Sequence, residues 1–187
     1  MLRRKMYDTL LAWKKEHGRE CLLVKGARQV GKSYLIREFG KAEYDSLIEI
    51  NFHEQKSLKV IFDGDKTAEE IYKRITANIP GVKLLPGRTL IFLDEIQNCG
   101  KARTAVKFLA EDARYDVISS GSLLGLTYAE EGDTEAEEPE SVPTGYEDFI
   151  TMYSLDFEEF LWAEGYSEEA ISILKEYYEK KKRCRTH

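Results

Sequence analysis

The feature of this 187-residue sequence that most limits its possible folds is the segment Gly-Ala-Arg-Gln-Val-Gly-Lys-Ser at residues 26–33. It matches the pattern G-x-x-x-x-G-K-[ST] at every fixed position. An apolar run, Glu20–Lys25, precedes it and predicts a buried strand, and helical character follows from Ser33 to Phe39. The segment is therefore predicted to be a loop that joins a strand to the N-terminus of a helix.

The chemistry of this loop suits phosphate. Glycines let the backbone turn so that successive N–H groups point inward, and the helix that follows adds the positive end of its dipole. Lys32 supplies a positive charge for the β- and γ-phosphates, and the Ser33 hydroxyl suits Mg²⁺. The predicted nucleotide-binding residues are Gly26, Ala27, Arg28, Gln29, Val30, Gly31, Lys32 and Ser33. The alternative is a glycine-rich turn that binds nothing, against which the flanking strand and helix argue.

A second element of the same chemistry follows 62 residues later in the sequence, where the apolar run Leu90-Ile-Phe-Leu ends in Asp94 and Glu95. The carboxyl ends of parallel strands meet at one edge of a sheet, so these carboxylates are expected beside the loop. Asp94 is predicted to hold Mg²⁺ together with Ser33, and Glu95 to act as general base on the attacking water. Taken alone, such a pair is as easily a strand end that meets solvent.

A third polar strand end occurs at Asp116-Val-Ile-Ser-Ser-Gly-Ser122. Ser120 and Ser122 are predicted to sense the γ-phosphate, and Ser120 is assigned to the catalytic set. The alternative is that these are small residues in a tight turn.

Strand and helix patterns alternate along the chain, which predicts an α/β fold with a parallel sheet. The predicted strands are Glu20–Lys25, Ser46–Phe52, Thr89–Leu93, Asp116–Ser119 and Phe149–Tyr153. The predicted helices cover residues 2–17, 33–39, 68–78 (with Thr67 as cap and Glu70 in the capping-box position), 101–112, 156–162 and 167 onward. Residues 128–146 are acidic and poor in large aliphatic residues, which predicts a loop.

The net charge of −6 conceals an uneven distribution. Residues 1–114 carry 22 basic and 16 acidic side chains, residues 115–174 carry 16 acidic and no basic ones, and residues 175–187 carry 6 basic and 2 acidic ones. A uniformly basic nucleic-acid binder is excluded, and the basic tail at 180–183 is more simply a solvated helix end. No apolar run is long enough to span a membrane. Three cysteines without paired spacing indicate the reducing cytoplasm and no disulfide framework.

Four segments in this order resemble prokaryotic AAA-type ATPases whose C-terminal half is a domain of unknown function. They are Gly26–Ser33, Phe92–Gln97, Ser120–Gly125 and Ser154–Leu161. The Arg-Gln pair in the first segment and Asp-Phe-Glu-Glu-Phe-Leu in the last are more distinctive than the generic loop pattern.

This resemblance implies a P-loop NTPase fold, with a five-stranded parallel sheet in the order 5-1-4-3-2 flanked by helices. It also implies ATP and Mg²⁺ as cofactors, with Lys32 on phosphate, Ser33 and Asp94 on Mg²⁺, and Glu95 as the catalytic residue. Residues 1–163 are expected to form the ATPase domain including the N-terminal helix. Residues 164–187, a helix and basic tail, are expected to begin a second domain that is missing.

AAA-type hydrolysis generally needs an arginine at the γ-phosphate. Because no Lys or Arg occurs between Arg114 and Lys175, we expect it to come from residues up to Arg114, from the basic tail, from a homo-oligomer neighbour or another protein partner, or from the missing domain. Within the chain, Arg28, Arg103 and Arg114 are candidates, although each is more simply a surface arginine. The leading function is an Mg-dependent ATPase module that hydrolyses slowly by itself. The alternative is an ATP-loaded interaction switch with negligible turnover, and a small-molecule kinase fits less well because the second half offers no lid arginines.

Overall fold

The computed structural model describes residues 2–16, 20–122 and 145–183. In these ranges the strands are β1 (Cys21–Gly26), β2 (Ser46–Asn51), β3 (Thr89–Asp94), β4 (Asp116–Ser122) and β5 (Glu147–Met152). The α-helices are α1 (Lys5–Glu16), α2 (Lys32–Glu43), α3 (Ala68–Asn78), α4 (Gly100–Asp112), α5 (Phe157–Ala163) and α6 (Glu168–Arg183).

The predicted strands and helices all occur, with ends that differ by a few residues. Two short 3₁₀ helices, Lys56–Phe62 and Ile96–Asn98, were not predicted from the sequence. Such short pieces have too few turns to leave a periodic pattern. The acidic segment predicted as a loop at 128–146 lies outside the described residues, apart from Gly145 and Tyr146.

The five strands form one parallel sheet in the order β2-β3-β4-β1-β5. Read from the other edge, this is the predicted order 5-1-4-3-2, and the prediction is confirmed. Parallel pairing brings the C-terminal ends of all strands to one edge of the sheet. The loop after β1 therefore lies near the residues that end β3, its second neighbour in the sheet, and β4, its direct neighbour.

Hydrophobic side chains cover both faces of the sheet, and β3 is buried along its whole length. Leu90 and Phe92 pack with residues of α1 and α2 on one face, while Ile91 and Leu93 pack with α3 and α4 on the other. This alternation follows from the two-residue period of a strand. Burial of such a side chain contributes roughly 1.5–3 kcal/mol, so two layers of helices hold β3 and the acidic residues at its end in a fixed position.

Side-chain caps fix the first turns of α3 and α5. The hydroxyl of Thr67 accepts a hydrogen bond from the Glu70 N–H at 3.4 Å at the start of α3. At the start of α5, the Asp156 carboxylate accepts from the Glu159 N–H at 2.8 Å, and the Glu159 carboxylate accepts from the Asp156 N–H at 3.1 Å. The second arrangement is a full capping box, and it fixes the side chain of Glu159.

Gly26 ends β1 at a position where a side chain has no room. It lies opposite Met152 in the register of β1 and β5. A Cβ atom at residue 26 would collide with the backbone carbonyl of Met152. The first glycine of the loop motif is therefore required by the close approach of β1 and β5, in addition to any contact of the loop with a ligand.

A buried ion pair joins α4 to the start of β5. Arg103 and Glu147 are each 5% exposed, and the Arg103 guanidinium lies 2.6 Å from one Glu147 carboxylate oxygen and 2.8 Å from the other. The Ser119 hydroxyl donates to the same carboxylate at 3.1 Å. Burial raises the pKa of Glu147, and Arg103 opposes that shift. The interpretation of Arg103 as a surface arginine is wrong, because its partner Glu147 holds it in the core.

Of the described helices, none combines the length and the apolar character that are needed to cross a bilayer.

We expect Arg103→Met to lower the free energy of unfolding by about 3–5 kcal/mol at neutral pH, because it leaves the Glu147 carboxylate buried and unpaired. An acid whose pKa is raised by folding destabilises the folded state as pH rises from the ordinary pKa of the acid to the raised one. The difference in unfolding free energy between the wild type and the variant should therefore narrow as pH falls through the raised pKa of Glu147. Urea unfolding at several pH values measures this.

The double variant Arg103→Met/Glu147→Gln is the control, because a neutral amide removes the unpaired charge and can still accept from Ser119. It should recover part of the lost stability at neutral pH. A single variant as stable as the wild type would contradict this account of the core.

Candidate nucleotide-binding site

The loop between β1 and α2 has an unusual backbone conformation. Gln29 has a φ of 64° and Gly31 a φ of 94°, both in the left-handed region. Gly31 adopts this φ without a Cβ penalty, but for Gln29 it is strained at a cost of about 1–2 kcal/mol. Left-handed residues within a loop turn successive N–H groups to one side, which is the geometry of an anion-binding nest. Because α2 begins at Lys32, the free N–H groups of its first turn lie at the same place.

Lys32 bends back over this loop. It is 6% exposed, and its ammonium group donates to the carbonyl of Gly26 at 3.1 Å and to that of Ala27 at 2.8 Å. An ammonium group has three donors, so these two bonds leave one for a further acceptor. Burial lowers the pKa of Lys32, while the nearby carboxylates of Glu95 and Asp94 oppose that shift. A phosphate in the loop would also raise this pKa.

The carboxylate of Asp94 is the meeting point of four elements. Its Oδ1 atom accepts from the Ser33 hydroxyl of α2 at 2.8 Å and from the Ser120 hydroxyl of β4. Its Oδ2 atom accepts from the side-chain amide of Asn51, at the end of β2, at 2.9 Å. The Arg37 guanidinium of α2 lies 3.9 Å from Oδ2. These contacts offset the cost of burying a residue that is only 1% exposed.

Glu95 follows directly and adopts a φ of 55°, which is a left-handed conformation. Its N–H approaches the Ser120 hydroxyl at 3.5 Å, and its carboxylate accepts a hydrogen bond from the side-chain amide of Gln97. The carbonyl oxygen of that Gln97 amide is buried and has no hydrogen-bond partner among the described residues. The carboxylate of Glu95 and an unsatisfied acceptor of Gln97 therefore lie side by side next to Asp94.

The residues at this edge fit Mg²⁺. The hydroxyls of Ser33 and Ser120 and the carboxylate of Asp94 are hard oxygen ligands, which is the type that Mg²⁺ prefers. Among the described residues, no group of three or more His, Cys, Asp or Glu side chains could hold a metal ion alone. A site with so few protein ligands suits an ion that keeps several waters and takes its other ligands from phosphate oxygens.

A cavity of about 670 Å³ opens beside the loop. Its wall contains the loop residues Arg28, Gln29, Val30 and Gly31 and the side chain of Arg4. The apolar part of the wall is formed by Leu2, Val30, Tyr34, Leu35, Met152 and Leu155. The volume lies in the range of small-molecule sites, and a mostly apolar wall suits a flat ring such as a nucleobase.

All eight loop residues, Asp94, Glu95 and Ser120 come together at one edge of the sheet. Ser122, the other sensor candidate, lies opposite Gly26 in the register of β4 and β1. Of the arginine candidates, Arg28 is exposed on the loop, whereas Arg114 pairs with Asp112 and Glu69.

Sequence reasoning missed Asn51, Gln97 and Arg4. A signal existed for Asn51, because it is a polar residue that ends an apolar strand, as Asp94 does. Arg4 lies in the predicted helix 2–17 and Gln97 ends the segment Phe92–Gln97 that carries the resemblance, but only the folded chain shows the contacts of these two side chains.

A family model described as "AAA domain" matches residues 18–161. A search of curated proteins gave no match. Among solved structures, the chain is similar to the Walker-type ATPase paby2304 of Pyrococcus abyssi, with a TM-score of 0.51 and 16% identity over 85% of this chain and 55% of that one. The structure of C. elegans PCH-2 matches with a TM-score of 0.42 and 14% identity over 81% of this chain and 39% of that one.

The chain thus spans about half of the Pyrococcus structure, and at 16% identity that likeness concerns the fold. This likeness in fold agrees with the parallel sheet and the strand order of a P-loop NTPase. The family model covers most of the chain and includes the loop, Asp94, Glu95 and Ser120. This chain belongs to the AAA domain family.

Proposed function

We propose that this chain binds ATP with Mg²⁺ at the edge formed by the loop and the ends of β3 and β4, and that it hydrolyses ATP there. The observation that carries the proposal is the 2.8 Å hydrogen bond between the Ser33 hydroxyl and Asp94. It joins the phosphate loop to the carboxylate pair, although 60 residues separate them in sequence. A glycine-rich turn without a ligand would not require this contact.

In this proposal each part of ATP has a place. The loop N–H groups and Lys32 bind the phosphates, and the neighbouring cavity receives the nucleoside. Ser33 and Asp94 hold Mg²⁺, which when bound neutralises charge on the β- and γ-phosphates. Ser120 keeps the Asp94 carboxylate in position through its hydrogen bond to Oδ1.

Glu95 is the proposed general base. Its carboxylate lies next to the phosphate-binding edge, so it can orient a water molecule and accept a proton from it. The side-chain amide of Gln97 donates to this carboxylate, and it would have to turn aside for a water molecule to bind there.

One observation favours the alternative, an ATP-loaded interaction switch with negligible turnover. The Glu95 carboxylate is already hydrogen-bonded to the Gln97 amide, and this contact would hold it away from a water molecule. In such a switch, ATP would be bound and retained. The signal would then depend on the bound nucleotide alone.

The arginine that would stabilise charge on the γ-phosphate is proposed to come from another molecule. Arg103 and Arg114 are held in ion pairs with Glu147 and with Asp112 and Glu69. Arg28 therefore remains the candidate within the loop. We propose that a neighbouring subunit or a protein partner supplies the arginine.

We also propose that residues 1–163 form the ATPase unit, and that residues 164–187 attach a further domain to it.

We expect Mg-ATP to raise the melting temperature of the wild type by about 5–10 °C at 100 times the dissociation constant. Lys32→Ala should abolish the shift, because it removes the ammonium group that reaches the phosphates. The matched control is Lys41→Ala, because Lys41 is an exposed lysine of the same helix whose ammonium group pairs with Glu38. An equal shift in Lys32→Ala and the wild type would contradict the proposed site.

We expect Glu95→Gln to lower turnover at least about 100-fold while ATP binding is retained, since an amide cannot accept the proton of water. Phosphate release and bound nucleotide are measured on the same sample. The control is Glu38→Gln on α2, which is outside the site. If turnover is negligible in the wild type and Glu95→Gln changes neither turnover nor binding, the switch is favoured over the hydrolase.

We expect the chain alone to hydrolyse ATP far more slowly than about 1 s⁻¹, the lower end for competent enzymes, because Arg103 and Arg114 are held in ion pairs and Arg37, which lies near Asp94, is paired with Glu49. Turnover per chain should increase with protein concentration if a neighbour supplies the cation. A concentration-independent rate near 1 s⁻¹ from the monomer would refute this expectation.

A further inference from the structure

We propose that Arg4 is a positioning residue of the nucleotide site, which holds the phosphate loop in its binding conformation and connects that loop to helix α5. The inference rests on the proposed nucleotide binding. It assigns a role to the segment before α1, which no sequence motif marks.

Arg4 is buried although it lies near the N-terminus of the chain. Its side chain is 8% exposed, which is unusual for arginine unless each donor has a partner. The guanidinium donates to the Val30 carbonyl at 3.1 Å, to the Tyr153 carbonyl at 2.7 Å and to the Glu159 carboxylate at 3.1 Å. One planar group therefore contacts the phosphate loop, the segment after β5 and helix α5.

The acidic partner of Arg4 is itself held firmly. The Glu159 oxygen that pairs with Arg4 also accepts from the backbone N–H of Lys5 at 2.8 Å. Its other oxygen accepts from the Asp156 N–H at 3.1 Å as part of the capping box of α5. Since this carboxylate cannot turn without breaking the start of α5, the position of the Arg4 guanidinium is linked to that helix.

The contact with Val30 acts on the part of the loop that would bind phosphate. The Val30 carbonyl belongs to the peptide between Val30 and Gly31, and left-handed residues lie on both sides of it, Gln29 and Gly31. In a trans peptide the C=O and N–H point in opposite directions. By holding the Val30 carbonyl, Arg4 fixes the Gly31 N–H to point away from itself, where it can serve as a phosphate donor.

The contact between Arg4 and the loop has two consequences for nucleotide binding. The loop is held in shape before the nucleotide arrives, so ATP binding does not have to order it. In addition, any tightening of the loop around phosphate is transmitted through Arg4 and Glu159 to the first turn of α5. This helix follows the C-terminal end of β5, the strand that pairs with β1.

The test compares Arg4→Lys with Lys5→Ala. A lysine keeps the charge opposite Glu159, but it lacks the planar fork that serves three separate acceptors. Lys5 pairs through its ammonium with Asp156 and Glu158, each at 2.7 Å, so Lys5→Ala removes ion pairs to the same helix without touching the loop. The measurements are the melting temperature and the dissociation constant of Mg-ATP.

We expect Arg4→Lys to raise the dissociation constant about tenfold, as for the loss of one hydrogen bond from a charged donor, and Lys5→Ala to leave it unchanged. A merely structural role would lower the melting temperature and leave affinity intact in the folded fraction. A folded Arg4→Lys variant with wild-type affinity would overturn the proposal.

Hydrogen exchange of the wild type tests the connection even if Arg4→Lys does not fold. Mg-ATP should slow exchange in residues 26–33 and also in residues 157–163. Protection of the loop without any change in α5 would overturn the connection. If the wild type does not bind Mg-ATP at all, it is the proposed function that fails, and this outcome is distinct from intact binding that is insensitive to Arg4.

Discussion

The buried carboxylate of Asp94 holds the candidate site together. At 1% exposure it would be costly without partners, and its partners come from α2, β2 and β4. Ser33 and Ser120 place the start of a helix and the end of a strand on the same oxygen atom. The phosphate loop and the acidic pair therefore depend on one another for their positions, and a change at Asp94 would affect both.

The loop is held from two sides. Asp94 contacts it through Ser33, and Arg4 contacts it through the Val30 carbonyl. Between these contacts, Gln29 and Gly31 have left-handed conformations, which a loop without tertiary contacts would not keep uniformly. The β1–β5 pairing adds a third constraint, because Met152 leaves room only for glycine at residue 26. A rigid loop of this kind is suited to bind phosphate without a large ordering cost.

The strands and helices were predictable from the sequence because they depend on local periodicity, whereas the order of the sheet was predicted from the resemblance to AAA-type ATPases. The loop at residues 26–33 was predicted from its motif, and Asp94, Glu95 and Ser120 were predicted as site residues because they are polar residues that end apolar strands. Arg103 was misjudged because its partner Glu147 lies 44 residues away, and charge patterns do not show such pairings. Arg4 and Gln97 were missed for the same reason, since their roles come from tertiary contacts alone.

The most direct test of a joint site for nucleotide and metal is calorimetric titration of the chain with ATP, once with Mg²⁺ and once with the metal chelated. We expect one saturable site per chain, with tighter binding when Mg²⁺ is present, because Ser33 and Asp94 would hold the ion against the phosphates. Asp94→Asn should remove most of the difference between the two titrations. The absence of saturable binding in the wild type, or binding of equal strength with and without Mg²⁺, would contradict it.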